Sequence, residues 1–97
     1  MRKIIAKYQI QDTFRITGRG IVLTGLVLEG TITIGNSIEF TFNGQKLKRN
    51  ITGIEGVRAV SEKTNTGLLI ECNDVAEIDD LSNWIPNLKI GNIYSNK

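Results

Sequence analysis

Ile38-Glu39-Phe40-Thr41-Phe42-Asn43-Gly44-Gln45-Lys46-Leu47-Lys48 decides the class of fold. Ile38, Phe40 and Phe42 alternate with polar residues, the period of two that a half-buried strand imposes. Asn43-Gly44 follows, and both residues tolerate the positive φ of a two-residue type I′ turn. Lys46, Leu47, Lys48, Arg49 and Ile51 then return toward Ile54 as the second strand of a hairpin.

The pattern extends outward from this hairpin in both directions. Upstream, Gly35-Asn36 supplies a turn, Thr31-Ile32-Thr33-Ile34 reads as extended, and Ile21 to Glu29 is a long strand rich in Val, Ile, Leu and Thr, closed by Gly30. Phe14-Arg15-Ile16 reads as a short strand ending at Gly18-Arg19-Gly20. Ile4, Ala6, Tyr8 and Ile10 alternate with Lys3, Lys7 and Gln9 as the first strand, with Ile5 the exception. Downstream, residues 61–66 are polar and loop-like, Gly67 to Cys72 is a buried strand, Asp74 to Trp84 is acidic with room for one helical turn, and Pro86-Asn87 turns into a last strand at Ile90–Tyr94. Six or seven short strands punctuated by glycine turns predict one all-β domain over residues 1–97, a small closed Greek-key barrel, because closure removes the exposed edges of so small a sheet.

Composition narrows the function. With 40% apolar and 23% charged residues the chain is neither disordered nor a disulfide scaffold. The longest apolar run, Ile21 to Val27, is broken by Thr24 and Gly25 and falls far short of the roughly 20 residues that span a bilayer. Lys7 and Gln9 interrupt what would be the apolar region of a signal peptide, so the N-terminus reads as the first strand of a cytoplasmic protein. The net charge of +2 divides unevenly: residues 1–58 hold nine Lys/Arg and four Asp/Glu, residues 59–97 three and six. A uniformly basic nucleic-acid binder would not be patterned this way, although folding can still gather the N-terminal cations on one face.

No catalytic set emerges, and neither an enzyme nor a cofactor is expected. Histidine is absent, which removes the commonest general base and the usual zinc ligand, and Cys72, the one cysteine, reads as a small core hydrophobe. Asp79-Asp80, the one close carboxylate pair, sits in a polar segment where solvation accounts for it. There is no Gly-x-x-x-x-Gly-Lys-Ser/Thr loop, so no GTP is held in the P-loop manner. Lys46, Lys48 and Arg49 beside the turn could contact phosphate, but Lys46 and Lys48 read rather as the solvent face of an alternating strand. Trp84 beside Ile85-Pro86 reads as the cap of a core rather than as a base-stacking platform.

Phe14-Arg15-Ile16-Thr17-Gly18-Arg19-Gly20-Ile21-Val22-Leu23-Thr24-Gly25 and Gly30-Thr31-Ile32-Thr33-Ile34-Gly35-Asn36-Ser37-Ile38-Glu39 together resemble the second, β-barrel domain of the translational GTPases, the elongation factor Tu family above all. The resemblance continues with Thr52-Gly53-Ile54-Glu55 and Gly67-Leu68-Leu69 and covers residues 3–72. It implies a stand-alone, non-catalytic barrel of translation-factor type whose partner is a tRNA or other RNA end. In that family the domain forms a pocket for the terminal adenosine of aminoacyl-tRNA, with aliphatic walls flanked by a glutamate, an arginine and an asparagine.

Carried over by the resemblance, Ile16, Val22 and Leu69 fall on aliphatic wall positions, Glu55 and Arg58 on the two charged ones, and Asn65 on the asparagine. The three aliphatic residues would also be apolar in any barrel of this kind that binds no RNA. The chain departs from the family at Gly56-Val57, where Met-Phe is usual, at Lys63-Thr64 before the asparagine, and at Leu26 and Glu29, where arginines are usual. The competing expectation is therefore a protein-interaction or accessory module of the translation apparatus, or a structural oligomerisation barrel, with Leu26 and Leu28 as a contact surface and no RNA bound.

Overall fold

A computed structural model describes residues 3–16, 20–58 and 64–95, with residues 56–58 and 64–65 described by their backbone alone. Six strands and one helix follow in the order β1 (Ile4–Ile16), β2 (Gly20–Gly30), β3 (Ser37–Phe42), β4 (Gln45–Arg58), β5 (Thr64–Ile70), α1 (Val75–Ser82) and β6 (Lys89–Tyr94). The strands close into a barrel in the order β1-β2-β5-β4-β3-β6. Every ladder is antiparallel. β3, β4 and β5 follow one another as a meander while β2 lies beside β5, which is the Greek-key arrangement expected.

The deciding hairpin forms as read: β3 and β4 pair from Ser37↔Asn50 to Phe42↔Gln45. Asn43 and Gly44 carry φ of 51° and 79°, the left-handed values of a type I′ turn.

The two strands read at Ile4–Ile10 and Phe14–Ile16 are instead one. A bulge carries β1 through the polar Gln11-Asp12, since Ile10 pairs with Gly25 and Asp12 with Thr24. Period-two reading breaks at such an insertion because the residues on either side exchange faces. The bulge also explains Gly25, where a Cβ would lie 1.8 Å from the Gln9 carbonyl oxygen. Three further expectations shift. Thr31–Ile34 is not strand, β5 begins at Thr64 within the segment read as a loop, and the single helical turn is an eight-residue helix. The Gly18-Arg19 turn and residues 61–63 of the loop lie outside the described residues.

The inward positions fill the barrel: Tyr8 and Ile10 of β1, Ile21 and Leu23 of β2, Ile38 and Phe40 of β3, Ile51 of β4, Leu68 and Ile70 of β5 and Ile93 of β6. Tyr8 is fully buried, and its hydroxyl lies against the carbonyl oxygens of Leu23, at 2.8 Å, and of Thr66. The single phenol O–H is thus placed between backbone acceptors of β2 and β5 inside the core, and burial raises its pKa well above the usual tyrosine value.

α1 stoppers one mouth of this barrel, within the connection from the end of β5 to the start of β6. Asp74 caps it by accepting from the Glu77 N–H at 2.9 Å. Leu81 is fully buried among the core side chains, and the Thr13 hydroxyl donates to its carbonyl oxygen at 2.9 Å. Trp84 stacks on Phe40 at 5.4 Å between ring centroids and meets Phe42 edge-on at 5.2 Å, the core-capping role expected of it.

Two ion pairs tie the helix to the strands. Arg15 reaches Asp79 at 2.5 Å between exposed side chains, so Asp79 is paired rather than simply solvated as expected. Arg49 grips Glu77 with two nitrogens where both side chains are about 15% exposed. Hydrogen bonding from Arg49 holds the Glu77 carboxyl below the usual glutamate range, against a smaller opposing effect of burial. A carboxyl with a depressed folded pKa contributes stability that is complete above its unfolded value, 4.5, and is lost as the pH falls through the folded value. Glu77→Gln should therefore cost about 1–3 kcal/mol at neutral pH and progressively less below pH 4.5, a convergence that urea midpoints across pH 2–7 would reveal.

Candidate functional site

The residues singled out by the resemblance belong to β1, β2, β5 and β4. Cross-strand pairing sets one transverse row, Phe14–Val22–Leu69–Gly53. Val22 and Leu69 are thus direct neighbours. They alternate with Ile21, Leu23, Leu68 and Ile70, which face the core, and neither belongs to the core cluster. Even so they are 7% and 8% exposed.

Glycines shape this row and the next. A Cβ on Gly53 would stand 3.3 Å from the Leu69 Cβ, so the bare backbone of β4 leaves space beside Leu69 that most side chains would fill. One step along, Gly67 pairs with Thr24 on one side and Glu55 on the other. Glu55 is exposed at the rim of this low-relief surface.

The remaining candidates lie at its two ends. Ile16, half-buried, pairs with Gly20 two positions along β1 from Phe14. It lines a cleft of about 380 Å³ with Arg15, Thr52, Cys72, Val75 and Ile78, and that cleft does not include Val22, Leu69 or Glu55. At the other end Asn65 pairs with Val57 and Arg58 with Thr64. The side chains of Asn65 and Arg58 lie outside the described residues. From the row of Ile16 to that of Arg58 is seven residues of strand, or roughly 23 Å. The candidates thus form a strip rather than a compact pocket.

Phe14 is the residue that sequence reasoning missed. It is 53% exposed beside Val22, because the Gln11 bulge turns the neighbouring Thr13 inward instead. An exposed aromatic preceded by a buried threonine is visible in the sequence only once the bulge is placed. Thr24, one row below, donates to the Asp12 carbonyl oxygen at 3.4 Å across the same bulge.

The C-terminal quarter leaves Glu55 open, since α1 packs on β1 and β2 and Trp84 on β3. Among the cations of the hairpin, Arg49 is engaged by Glu77, Lys48 lies over the Tyr94 ring at 4.7 Å from its centroid, and Lys46 is exposed. Cys72 packs half-buried against the core, and burial, with neighbouring Glu77, pushes its thiol up to about 11, so it is protonated at neutral pH. Among the described residues no group of three potential metal ligands is gathered, and no helix is long and apolar enough to cross a membrane. No family model matches the chain.

Proposed function

We propose that this chain is a non-catalytic binding module that receives the 3′ end of an RNA, tRNA among them, on the outer face of β2, β5 and β4. The observation that carries this reading is the paired Val22 and Leu69, directed away from the core yet nearly covered. They lie beside the bare backbone of Gly53 and Gly67, with Glu55 at the rim and Phe14 alongside. A flat apolar floor with a few polar groups at its margin suits a nucleobase and its ribose, the parts of a single-stranded end that proteins read. The residues quoted for the translational GTPase barrel support the same ligand, with Ile16, Arg58 and Asn65 extending the site and the cytoplasm as its setting. The reading needs neither GTP nor a cofactor.

Binding of aminoacylated and deacylated tRNA at two salt concentrations tests it, because phosphate contacts weaken steeply with salt whereas an end pocket distinguishes the two 3′ termini. Saturable binding that differs between them is expected. Glu55→Ala should weaken it about tenfold while the unfolding transition stays unchanged, since Glu55 is exposed. Absence of binding, or salt-sensitive binding indifferent to the 3′ end, overturns the reading.

Leu28, 49% exposed where the β2–β5 ladder has ended, with Val27 beside it at 38%, favours the second reading, a protein-interaction or oligomerisation barrel, whereas Leu26, also expected on that surface, is half-buried. Capture of a defined translation-apparatus protein that survives nuclease treatment would favour that alternative.

A further inference from the structure

We propose that the outer face of the β3–β4 hairpin, with Lys46, Lys48 and the neighbouring Tyr94, carries the nucleotides that lead up to the 3′ end, an inference that rests on the RNA-end reading above. β4 belongs to both halves of the barrel: residues 45–50 pair with β3 and residues 51–58 with β5. Between them the register slips at Thr52, since Ile51 pairs with Ile70 but Gly53 with Leu69. The slip exchanges the faces of the strand.

Before it, Leu47 and Ile51 pack inward, leaving Lys46, Lys48 and Asn50 outward. After it, Gly53 and Glu55 are outward, beside Leu69 and Gly67. One strand thus draws an unbroken outward line from the hairpin tip to the candidate floor. Five residues separate Gly53 from Lys48, roughly 16 Å, a distance that a few nucleotides cover.

The chemistry along this line matches a single strand. Among the described residues neither Lys46 nor Lys48 stands within ion-pair distance of a carboxylate, although Glu39 is opposite Lys48 in the ladder. Lys48 instead holds its ammonium over Tyr94, which places a cation and an aromatic ring side by side. Ammonium groups meet phosphates, and an aromatic ring meets a base without regard to sequence. Asn50, which accepts from the Ser37 hydroxyl, and Thr52, whose hydroxyl donates to the Leu69 carbonyl oxygen, are the polar residues between the cations and the floor. The RNA then runs with its 3′ terminus at Val22–Leu69 and its 5′ side toward Asn43-Gly44.

Single-stranded RNA oligonucleotides of two, four and eight residues with a common free 3′ end, each with a 3′-phosphorylated control, test this on the full chain. The wild type should bind the longer oligomers more tightly and with a steeper salt dependence than the dinucleotide. The double variant Lys46→Ala/Lys48→Ala should lose that gain, the slope of log K against log salt falling by about 1.4 for two lost contacts to a single strand, while dinucleotide affinity is unchanged. Lys46→Glu, at an exposed position with no ion-pair partner among the described residues, should reduce the gain without touching the fold. If the length-dependent gain and its salt slope persist in both variants, the strand leaves the floor by another route and the proposal fails. If no oligomer distinguishes a free from a phosphorylated 3′ end, the RNA-end reading fails and the track with it.

Discussion

Gly25→Ala should unfold this protein or leave it barely folded. The added Cβ would stand 1.8 Å from the Gln9 carbonyl oxygen and 2.9 Å from its carbon, contacts with backbone that no rotamer change relieves. Relief requires β1 and β2 to separate at Ile10↔Gly25, beside the bulge at Gln11 that sets the register of everything beyond it. Overpacking of a well-packed core costs about 1–3 kcal/mol where side chains can shift, and a clash confined to backbone belongs at or above the top of that range. A domain of this size has roughly 5–10 kcal/mol in total. Thermal unfolding followed by circular dichroism would show a transition lowered by 15 °C or more, on the order of 4–8 °C per kcal/mol. A variant within a few degrees of the wild type would mean that the ladder tolerates opening at this point.

Leu81→Ala should be nearly as damaging, for the opposite reason. Leu81 is the one residue of α1 that enters the fully buried core, and truncating a buried leucine costs about 2–5 kcal/mol, more where neighbours cannot collapse into the space. Collapse is restricted here, because Thr13 holds the Leu81 carbonyl oxygen while Arg15 and Arg49 hold the helix from the strands. Trp84 is the only tryptophan in the chain and packs on Phe40 and Phe42, so its fluorescence reports the same mouth. The urea midpoint should fall sharply, and tryptophan emission should shift red at urea concentrations that leave far-ultraviolet circular dichroism unchanged. Coincident transitions would mean instead that helix and barrel unfold as one unit.

The barrel was legible because its signals are local. Asn43-Gly44, the alternation of Ile38, Phe40 and Phe42, and the long β-branched run from Ile21 each speak for themselves within a few residues. The bulges at Gln11 and Thr52 were not legible, since an inserted residue is defined by what lies across the ladder. Period-two reading therefore finds two strands where β1 is continuous and does not mark Phe14 as an exposed aromatic. Resemblance rather than pattern marks the candidate site residues. An outward aliphatic such as Val22 or Leu69 sits in an unbroken apolar run and carries the same sequence signal as its inward neighbours Leu23 and Leu68. α1 is longer than its sequence suggests because a short acidic segment has little helix propensity of its own, and it is the burial of Leu81 and the grip of Arg49 that extend it.

The seam of the barrel joins β1 to β6, from Ile4↔Tyr94 to Ile10↔Lys89, partners roughly eighty to ninety residues apart. No other ladder spans so much chain, and the entropy of closing so large a loop must be met before this pairing returns anything. During synthesis β1 is made before β6, and its second edge has no partner until residues 89–94 have been made. The nascent chain must therefore carry two bare edges, one on β1 and one on β3, until β6 has been made. The interval before the seam closes is when this protein is most open to pairing with another chain, and faster closure of the barrel would protect it more than added stability of the finished fold.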